Sequence, residues 1–352
     1  MLSPVDFAFE LAPGARFDVV DLRARLPAEY HDALAPYPSC LYWSAHTTAG
    51  FLERSLIARL GAARVPTYVD ALRRIFPEGA GYAHDRVESR VDLDPAQRAV
   101  EPKNADSHLA FIAGGLRSCV THPNRPGEPV YFVDLDGIND GRPRRRHTRV
   151  IGFRNEAVVG QTRIDVPVSG HPIDSVNLKD TKLGVYDHLA DFIARSGVRT
   201  GRLHLALDSG DRHAALTVNE FETLLMKHDL AAVLREPLRF MTAQYRGLWA
   251  NPRAVPGKAL GYAKYDLVRV LNSGIETLRL QGSIIEKVLA RTLAVPAARF
   301  FRMRRSVHLL VAQREDGHSG FIEGRYQSPI LVQWQRSSRS SRTLHATLTS
   351  LE

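Results

Sequence analysis

Apolar positions along the chain predict a mixture of strands and helices. The run from 202 to 207 alternates leucines with other residues, which places the leucines on one face of a strand. Further strands are predicted at 40–43, 130–133, 149–153, 330–334 and 343–348. Helices are predicted at 51–60, 67–75, 187–195, 219–234 and 283–293. Strand-rich ends around helices favour an α+β fold over a doubly wound parallel sheet.

A short motif occurs twice, about half a chain length apart. Residues 81–85 (GYAHD) recur as 261–266 (GYAKYD). After each copy a polar gap leads to a serine, Ser107 or Ser283, that opens an apolar helical run. Each half closes with an arginine-rich turn and a short strand. The simplest interpretation is a tandem duplication, with one domain at 1–157 and a divergent second domain at 158–352.

Composition limits the class of protein. The chain has 352 residues, of which 44% are hydrophobic and 24% charged, so it is not a collagen, a coiled coil or a disordered chain. No apolar run has the length of a membrane span, and the first residues lack the pattern of a signal peptide. Two cysteines, Cys40 and Cys119, are too few for a disulfide framework. We therefore expect a cytoplasmic protein with reduced thiols and no membrane partner.

Positive charge is in excess, with 47 Lys+Arg against 38 Asp+Glu and a net charge of +9. Two arginine-rich runs stand out, at 142–147 and 336–342. The favoured interpretation is solvated loops beside a strand, and contacts to a phosphate-bearing ligand are the alternative. Neither run is interleaved with aromatic residues, which disfavours a nucleic-acid partner.

Three polar clusters in the first half each contain a histidine. His46 follows a predicted strand, His84 lies in the repeated motif, and His108 lies near the start of a predicted helix that Asp106 or Ser107 caps. Three imidazoles at element ends can converge on one metal ion, with a carboxylate such as Asp85 orienting a ring. The alternative for each is an ordinary surface or core histidine.

The second half has a different set of polar residues. The position that matches His46 holds Asp211 or a neighbour, whereas 219–220 (NE) and 227–229 (KHD) become prominent. On a continuous helix, Glu220 and His228 would lie on roughly one side. The alternative is an exposed, charged helix face.

Together these residues resemble the YjbQ family, small proteins known as secondary thiamine-phosphate synthases. The first half carries 46–50 (HTTAG), 82–85 (YAHD) and 104–108 (NADSH), and lacks the family's N-E, R-H-D and glutamine motifs. The second half carries 219–220, 227–229 and 324–327 (GRYQ), and lacks the three histidines. Each half therefore keeps what the other has lost, which favours one composite site over two independent sites.

The resemblance implies a fold and an assembly. It implies two tandem YjbQ-like domains, each with a mostly antiparallel β-sandwich-like core and flanking helices. Members of the family resemble trimers with sites at subunit contacts, so the resemblance implies a homo-oligomer, either a trimer or another closed ring.

The leading hypothesis is a metal-dependent enzyme that acts on a small phosphorylated or otherwise anionic metabolite. It would be thiamine-phosphate-synthase-like, or another transferase, lyase or cyclase of specialised biosynthesis. The alternatives are a non-catalytic ligand-binding or assembly protein and a basic nucleic-acid-binding protein.

The resemblance also suggests a role for each site residue. His46, His84 and His108 would hold a divalent ion, with zinc first and magnesium or manganese as alternatives. Glu220 or His228 would be the general base, with Asp229 orienting His228. The expected substrate-binding residues are Thr47, Thr48, Asn219, Gln327, Arg144, Arg145 and Arg146.

Overall fold

The computed structural model describes residues 3–89, 93–139, 141–171, 173–221, 229, 304–314 and 317–352. Within these residues the chain forms seventeen strands and seven α-helices. Strands of the two larger sheets pair antiparallel with their neighbours. The α+β class predicted from the sequence is therefore confirmed.

The described residues of the first half form a four-stranded, a three-stranded and a two-stranded sheet, together with six α-helices. Its strands are β1 (Val5–Leu11), β2 (Asp18–Asp21), β3 (Ser39–Ser44), β4 (Ala49–Phe51), β5 (Cys119–Pro123), β6 (Tyr131–Asp134), β7 (Ile138–Asn139), β8 (Arg142–Pro143) and β9 (Arg146–Phe153). Its helices are α1 (Leu22–Arg25), α2 (Ala28–Leu34), α3 (Arg54–Leu60), α4 (Val65–Ile75), α5 (Pro95–Val100) and α6 (Ala105–Ala113).

The described residues of the second half contain eight strands and one α-helix. Its strands are β10 (Glu156–Pro167), β11 (Asp174–Asn177), β12 (Thr200–Leu207), β13 (Ala214–Asn219), β14 (Ser306–Gln313), β15 (Ser319–Ile322), β16 (Ser328–Gln333) and β17 (Ser341–Leu351), and its described helix is α7 (Val185–Ser196). The leucines of β12 are buried and the residues between them are not, as the alternating pattern predicts.

The two halves have corresponding strand orders. The larger sheets run β1-β9-β3-β5 and β10-β17-β12-β14, with β15 added at the edge of the second. The smaller sheets run β2-β6-β4 and β11-β16-β13. Every strand of these sheets except β15 thus has a counterpart at the same place in the other half. The first large sheet ends at Phe153 and the second begins at Glu156, so the predicted border at 157/158 falls inside β10.

The halves pack against each other through their large sheets. Leu41, Trp43 and Cys119 of the first half form one buried cluster with Leu310 and Leu351 of the second. A second buried cluster joins the helices of the first half to β16, which contributes two apolar side chains. Burial of this apolar area holds the two halves together. Cys119 lies in the first of these clusters and Cys40 in a separate cluster of first-half residues, and both are free thiols.

The structure adjusts several predicted boundaries. The helix predicted at 51–60 begins at Arg54, because Phe51 ends β4 and its N–H donates to the Arg117 carbonyl at 2.7 Å. Asn219 ends β13, where it pairs with Ser328, and does not begin a helix. The rest of the predicted helix to 234 lies outside the described residues apart from 220, 221 and 229, as do the helix at 283–293 and the repeat copy at 261–266.

Helix α6 is capped differently from the prediction. Asn104 occupies the N-cap position, whereas Asp106 and Ser107 lie inside the helix. The Ser107 hydroxyl donates to the Leu135 carbonyl at 2.5 Å, and Asp106 pairs with Arg16. Every residue of α6 is buried, so this helix is a central element of the first half. No helix in the described residues is long and apolar enough to cross a membrane.

Candidate active site at the junction of the two halves

His108 of α6 is bound by a residue from the other half of the chain. Its Nδ1 lies 2.7 Å from Oδ1 of Asn219, and both side chains are buried. The same Oδ1 accepts the N–H of Glu220 at 2.8 Å, and Nδ2 of Asn219 donates to the Thr47 carbonyl at 3.2 Å. A main-chain N–H can only donate and a carbonyl can only accept, so these bonds fix the orientation of the Asn219 amide.

This fixed amide determines which nitrogen of His108 carries hydrogen. Since Oδ1 of Asn219 is an acceptor, Nδ1 of His108 is the donor, and the neutral ring presents a lone pair at Nε2. Oε2 of Glu220 lies 3.4 Å from Nε2. A carboxylate and a lone pair repel each other at this distance, unless a proton or a metal ion lies between them.

His84 is arranged in the same way beside His108. Its Nδ1 lies 3.1 Å from Oδ1 of Asp85, an oxygen that also accepts the N–H of Ala105 at 3.0 Å. Its Nε2 lies 4.0 Å from Oε1 of Glu101. The His84 and His108 ring centroids are 5.4 Å apart. Two buried imidazoles thus lie side by side, each with a polar partner at Nδ1 and a carboxylate near Nε2.

Asp229 supports this pair from the second half. Its two carboxylate oxygens accept the main-chain N–H groups of Ala83 and His84, at 2.7 and 2.9 Å. Burial raises the pKa of Asp229, while these two hydrogen bonds oppose the rise. The structure therefore gives Asp229 a role in holding the His84 loop. Its predicted partner His228 lies outside the described residues.

His46 has a different environment from the other two histidines. Its Nε2 accepts the main-chain N–H of His147 at 2.8 Å, and the two rings are nearly parallel, with centroids 6.1 Å apart. Burial, together with the positive charges of Arg146, His147 and Arg144, lowers the pKa of His46 to about 3. His46 is thus neutral, with its hydrogen on Nδ1. Within the described residues, no three His, Cys, Asp or Glu side chains surround a single point as metal ligands would.

Gln327 fixes the loop that carries His46. Its Nε2 donates to the carbonyls of Ser44 and His46, at 2.7 and 3.0 Å, and its Oε1 accepts the N–H of Gly324 at 3.0 Å. These bonds use both amide hydrogens, so the geometry favours positioning over the predicted substrate contact. Gly324 packs so closely that a Cβ there would lie 1.7 Å from the Ala45 carbonyl oxygen. Only glycine fits this contact between the halves.

The two threonines after His46 are buried in the same junction. Thr47 offers its carbonyl to Asn219, as described above, and the Thr48 carbonyl accepts the N–H of Leu135 at 3.0 Å. Through their main chains, both residues link the His46 loop to its surroundings.

The arginine run at 142–147 is partly neutralised within the fold. Arg146 is buried and donates to both carboxylate oxygens of Asp134, at 2.6 and 2.7 Å. Arg144 forms an ion pair with Asp136. Arg145 is exposed, 3.4 Å from Glu10. All three arginines expected to bind phosphate therefore already have acidic partners, and only the Arg145–Glu10 pair is exposed, which also weakens the case for a nucleic-acid surface here.

Sequence reasoning did not single out Glu101. It predicted Gln327, but not that the whole turn from 323 to 327 contributes to the site. Glu101 begins the polar run that leads to His108, so the run itself was a signal that its carboxylate lies near the histidines. Lys179 holds this turn from outside: its ammonium group donates to the Gln327 carbonyl at 2.7 Å and forms an ion pair with Glu323 at 2.8 Å. Nothing in the sequence spacing indicates that this turn packs on residues 44–46 of the other half.

Comparison with known proteins gave structural similarities only. No family model and no curated protein sequence matches the chain. Solved structures similar to it include a YbjQ-like protein of unknown function from Sulfolobus solfataricus P2, with 16% identity and a TM-score of 0.31 over 56% of this chain and 99% of that one. A hypothetical protein from Aeropyrum pernix K1 has 16% identity and a TM-score of 0.29, over 43% of this chain and 99% of that one.

A third similar structure is an uncharacterised conserved protein of the yjbq/upf0047 family from Clostridium acetobutylicum. It has 11% identity and a TM-score of 0.28, over 54% of this chain and 99% of that one. In all three cases nearly the whole of the other protein corresponds to about half of this chain.

Proposed function

We propose that the chain is a tandem duplication of a YjbQ-like domain, and that the junction of its halves is the active site of a metal-dependent enzyme. The corresponding strand orders, β1-β9-β3-β5 and β10-β17-β12-β14, support the duplication. The substrate class is a small phosphorylated or otherwise anionic metabolite, and thiamine phosphates are the first to test.

One observation carries the proposal. Glu220 of the second half places Oε2 3.4 Å from Nε2 of His108 in the first half, while Asn219 keeps hydrogen off that nitrogen in the neutral ring. Neither half alone contains this arrangement. The site is therefore composite within one chain, and a trimer or other closed ring would not be needed to complete it.

Two of the three predicted histidines have the hydrogen-bond partners that are typical of metal ligands. Metal-bound histidines usually donate their second ring N–H to a carboxylate or carbonyl, as His84 does to Asp85 and His108 does to Asn219. His84 and His108 would hold the ion, with zinc first and magnesium or manganese as alternatives. His46 departs from this pattern, because its Nε2 already accepts a main-chain N–H.

When bound, the ion would polarise a substrate oxygen as a Lewis acid. Glu220 would be the general base, because its carboxylate lies beside Nε2 of His108 and its main chain is fixed through Asn219. Gln327 and Asp229 would hold the His46 and His84 loops in place. Arg145, exposed at the surface, would attract an anionic substrate by its charge.

The test is a metal analysis of protein purified in its native state, without a refolding step, and of matched variants. We expect about one divalent ion per chain in the parent, and loss of most of it in His108→Ala, because one of few protein ligands is removed. His345→Ala is the control, since His345 is half-exposed and pairs with Asp208. Full metal retention in His108→Ala, with normal folding, would contradict the proposal.

A further inference from the structure

A second polar cluster lies between the halves and uses none of the residues discussed above as site residues. Arg117 donates to Oε1 of Glu53 from Nε at 2.8 Å, and its NH2 lies 2.7 Å from the same oxygen. Arg304 of the second half places NH2 2.7 Å from Oε2 of Glu53. Two guanidinium groups therefore share one carboxylate, which leaves a net charge of +1 on this group of three.

The two arginines occupy corresponding places in the halves. Arg117 lies just before β5 and bridges to Phe51, whereas Arg304 lies just before β14 and bridges to Leu216. Since Phe51 corresponds to Leu216, Glu53 corresponds to Val218, which carries no charge. The repeated architecture thus brings two equivalent positive charges together with only one negative charge between them. Arg117 is only 9% exposed and the side chains of Arg304 and Glu53 are each 26% exposed, so water screens this excess only in part.

These groups line a small cavity together with further hydrogen-bond donors. The cavity has a volume of about 20 Å³, and its polar lining consists of Arg117, Ser118, Thr217, Arg304 and His308. Nε of Arg304 and Nδ1 of His308 are buried and have no hydrogen-bond partner within the part of the chain that the structure describes. Nε of Arg304 always carries a hydrogen, and Nδ1 of His308 carries one in one of the two neutral tautomers. Buried polar groups such as these call for a bound water or ion as partner.

We propose that this cavity is a binding site for one small inorganic anion of the size and charge of chloride. The anion would balance the charge left by two arginines on one carboxylate, and would accept from Arg304 Nε and His308 Nδ1. A cavity of this volume has room for a particle the size of a water molecule or a small monatomic ion. Its lining includes none of the residues proposed to carry catalysis, so this site is separate from the proposed catalytic chemistry.

His308 supports an anion over a cation at this position. Burial and the nearby charges of Arg202, His204 and Arg117 lower the pKa of His308 to about 3, so the ring is neutral at physiological pH. A neutral imidazole can donate one hydrogen bond and accept another, and this ring lies among positively charged groups. A cation would add to the charge of the arginines, whereas an anion would be attracted by it.

The experiment measures thermal unfolding of the full chain in sodium chloride and in sodium gluconate at equal ionic strength. Gluconate does not fit the cavity, so only chloride should stabilise by binding the native state. We expect the melting temperature to be higher in chloride by about 1–2 °C, the shift that about 1 kcal/mol produces in a cooperative unit of 352 residues. Arg304→Gln should abolish the difference, whereas Arg325→Gln, an exposed arginine, should keep it.

A second measurement keeps the proposal testable if Arg304→Gln does not fold. Crystals of the parent protein are soaked in sodium bromide, and anomalous scattering locates the bound halide. We expect a peak within hydrogen-bond distance of His308 Nδ1 and Arg304. Equal melting temperatures in chloride and gluconate, or an ordered water without any anomalous peak in the cavity, would overturn the anion site.

Discussion

Glu220 and His108 come from different halves of the chain, and Oε2 of the one lies 3.4 Å from Nε2 of the other. Asn219 produces this relationship, because it bonds both the Glu220 N–H and Nδ1 of His108 through a single oxygen. The Asn-Glu pair is therefore a unit: asparagine sets the tautomer of the histidine, and glutamate faces the nitrogen that is left as an acceptor.

Replacing the asparagine tests this unit. In Asn219→Ala the His108 ring loses the acceptor that orients it, and we expect affinity for zinc to fall about 10–100-fold, as for other outer partners of metal ligands. Competition with a chelator measures that affinity. Asn124→Ala is the control, because Asn124 bonds the carbonyls of Leu34 and Tyr37 and touches none of the proposed site residues. An equal loss of affinity in both variants would indicate general destabilisation.

Glu220→Gln distinguishes a base from a structural residue. The amide can donate to Nε2 of His108, so the metal-free variant should be at least as stable as the parent, with a gain of up to about 1 kcal/mol. Urea denaturation of metal-stripped protein measures this difference. A loss of stability larger than 1 kcal/mol would show that the carboxylate supports the fold and does not serve as a base.

The contact of Gly324 with Ala45 should tolerate no side chain. Gly324→Ala places a Cβ against a main-chain oxygen, and we expect a loss of about 1–3 kcal/mol in unfolding free energy from overpacking. Gly170→Ala is the matched control, since its nearest neighbour would be 3.9 Å away. Denaturant titration measures both variants, and similar stability of the two would mean that the turn moves freely away from the His46 loop.

The lowered pKa of His308 predicts that the free energy of unfolding depends on pH. Its pKa is about 3 in the folded chain against an ordinary 6.5, so the unfolded chain binds the proton more tightly. Stability therefore falls as pH decreases from 6.5 toward 3, by up to about 1.4 kcal/mol per pH unit for one proton. His308→Gln should reduce this slope in denaturant titrations at several pH values, whereas His345→Gln should leave it largely unchanged. An unchanged slope in His308→Gln would contradict the assigned cause.

The sequence by itself determined the local structure well. Leucine alternation predicted β12, the apolar runs predicted β3, β9, β16 and β17, and the mixture predicted the α+β class, because burial on one face requires a fixed period of side chains. The sequence also singled out Asn219, Glu220 and the histidines as polar residues at the ends of apolar segments. It placed Asn219 in a helix, because periodicity alone cannot tell where a buried strand ends.

Only the tertiary structure decided how those residues meet. His84 and His108 became neighbours because α6 is buried beside the loop that Asp229 holds, and His46 was turned to the main chain of β9 by the register of that strand. The shared use of Glu53 by Arg117 and Arg304 likewise depends on how two sheets pack. These contacts join residues far apart in sequence, and local spacing carries no information about the distance between them.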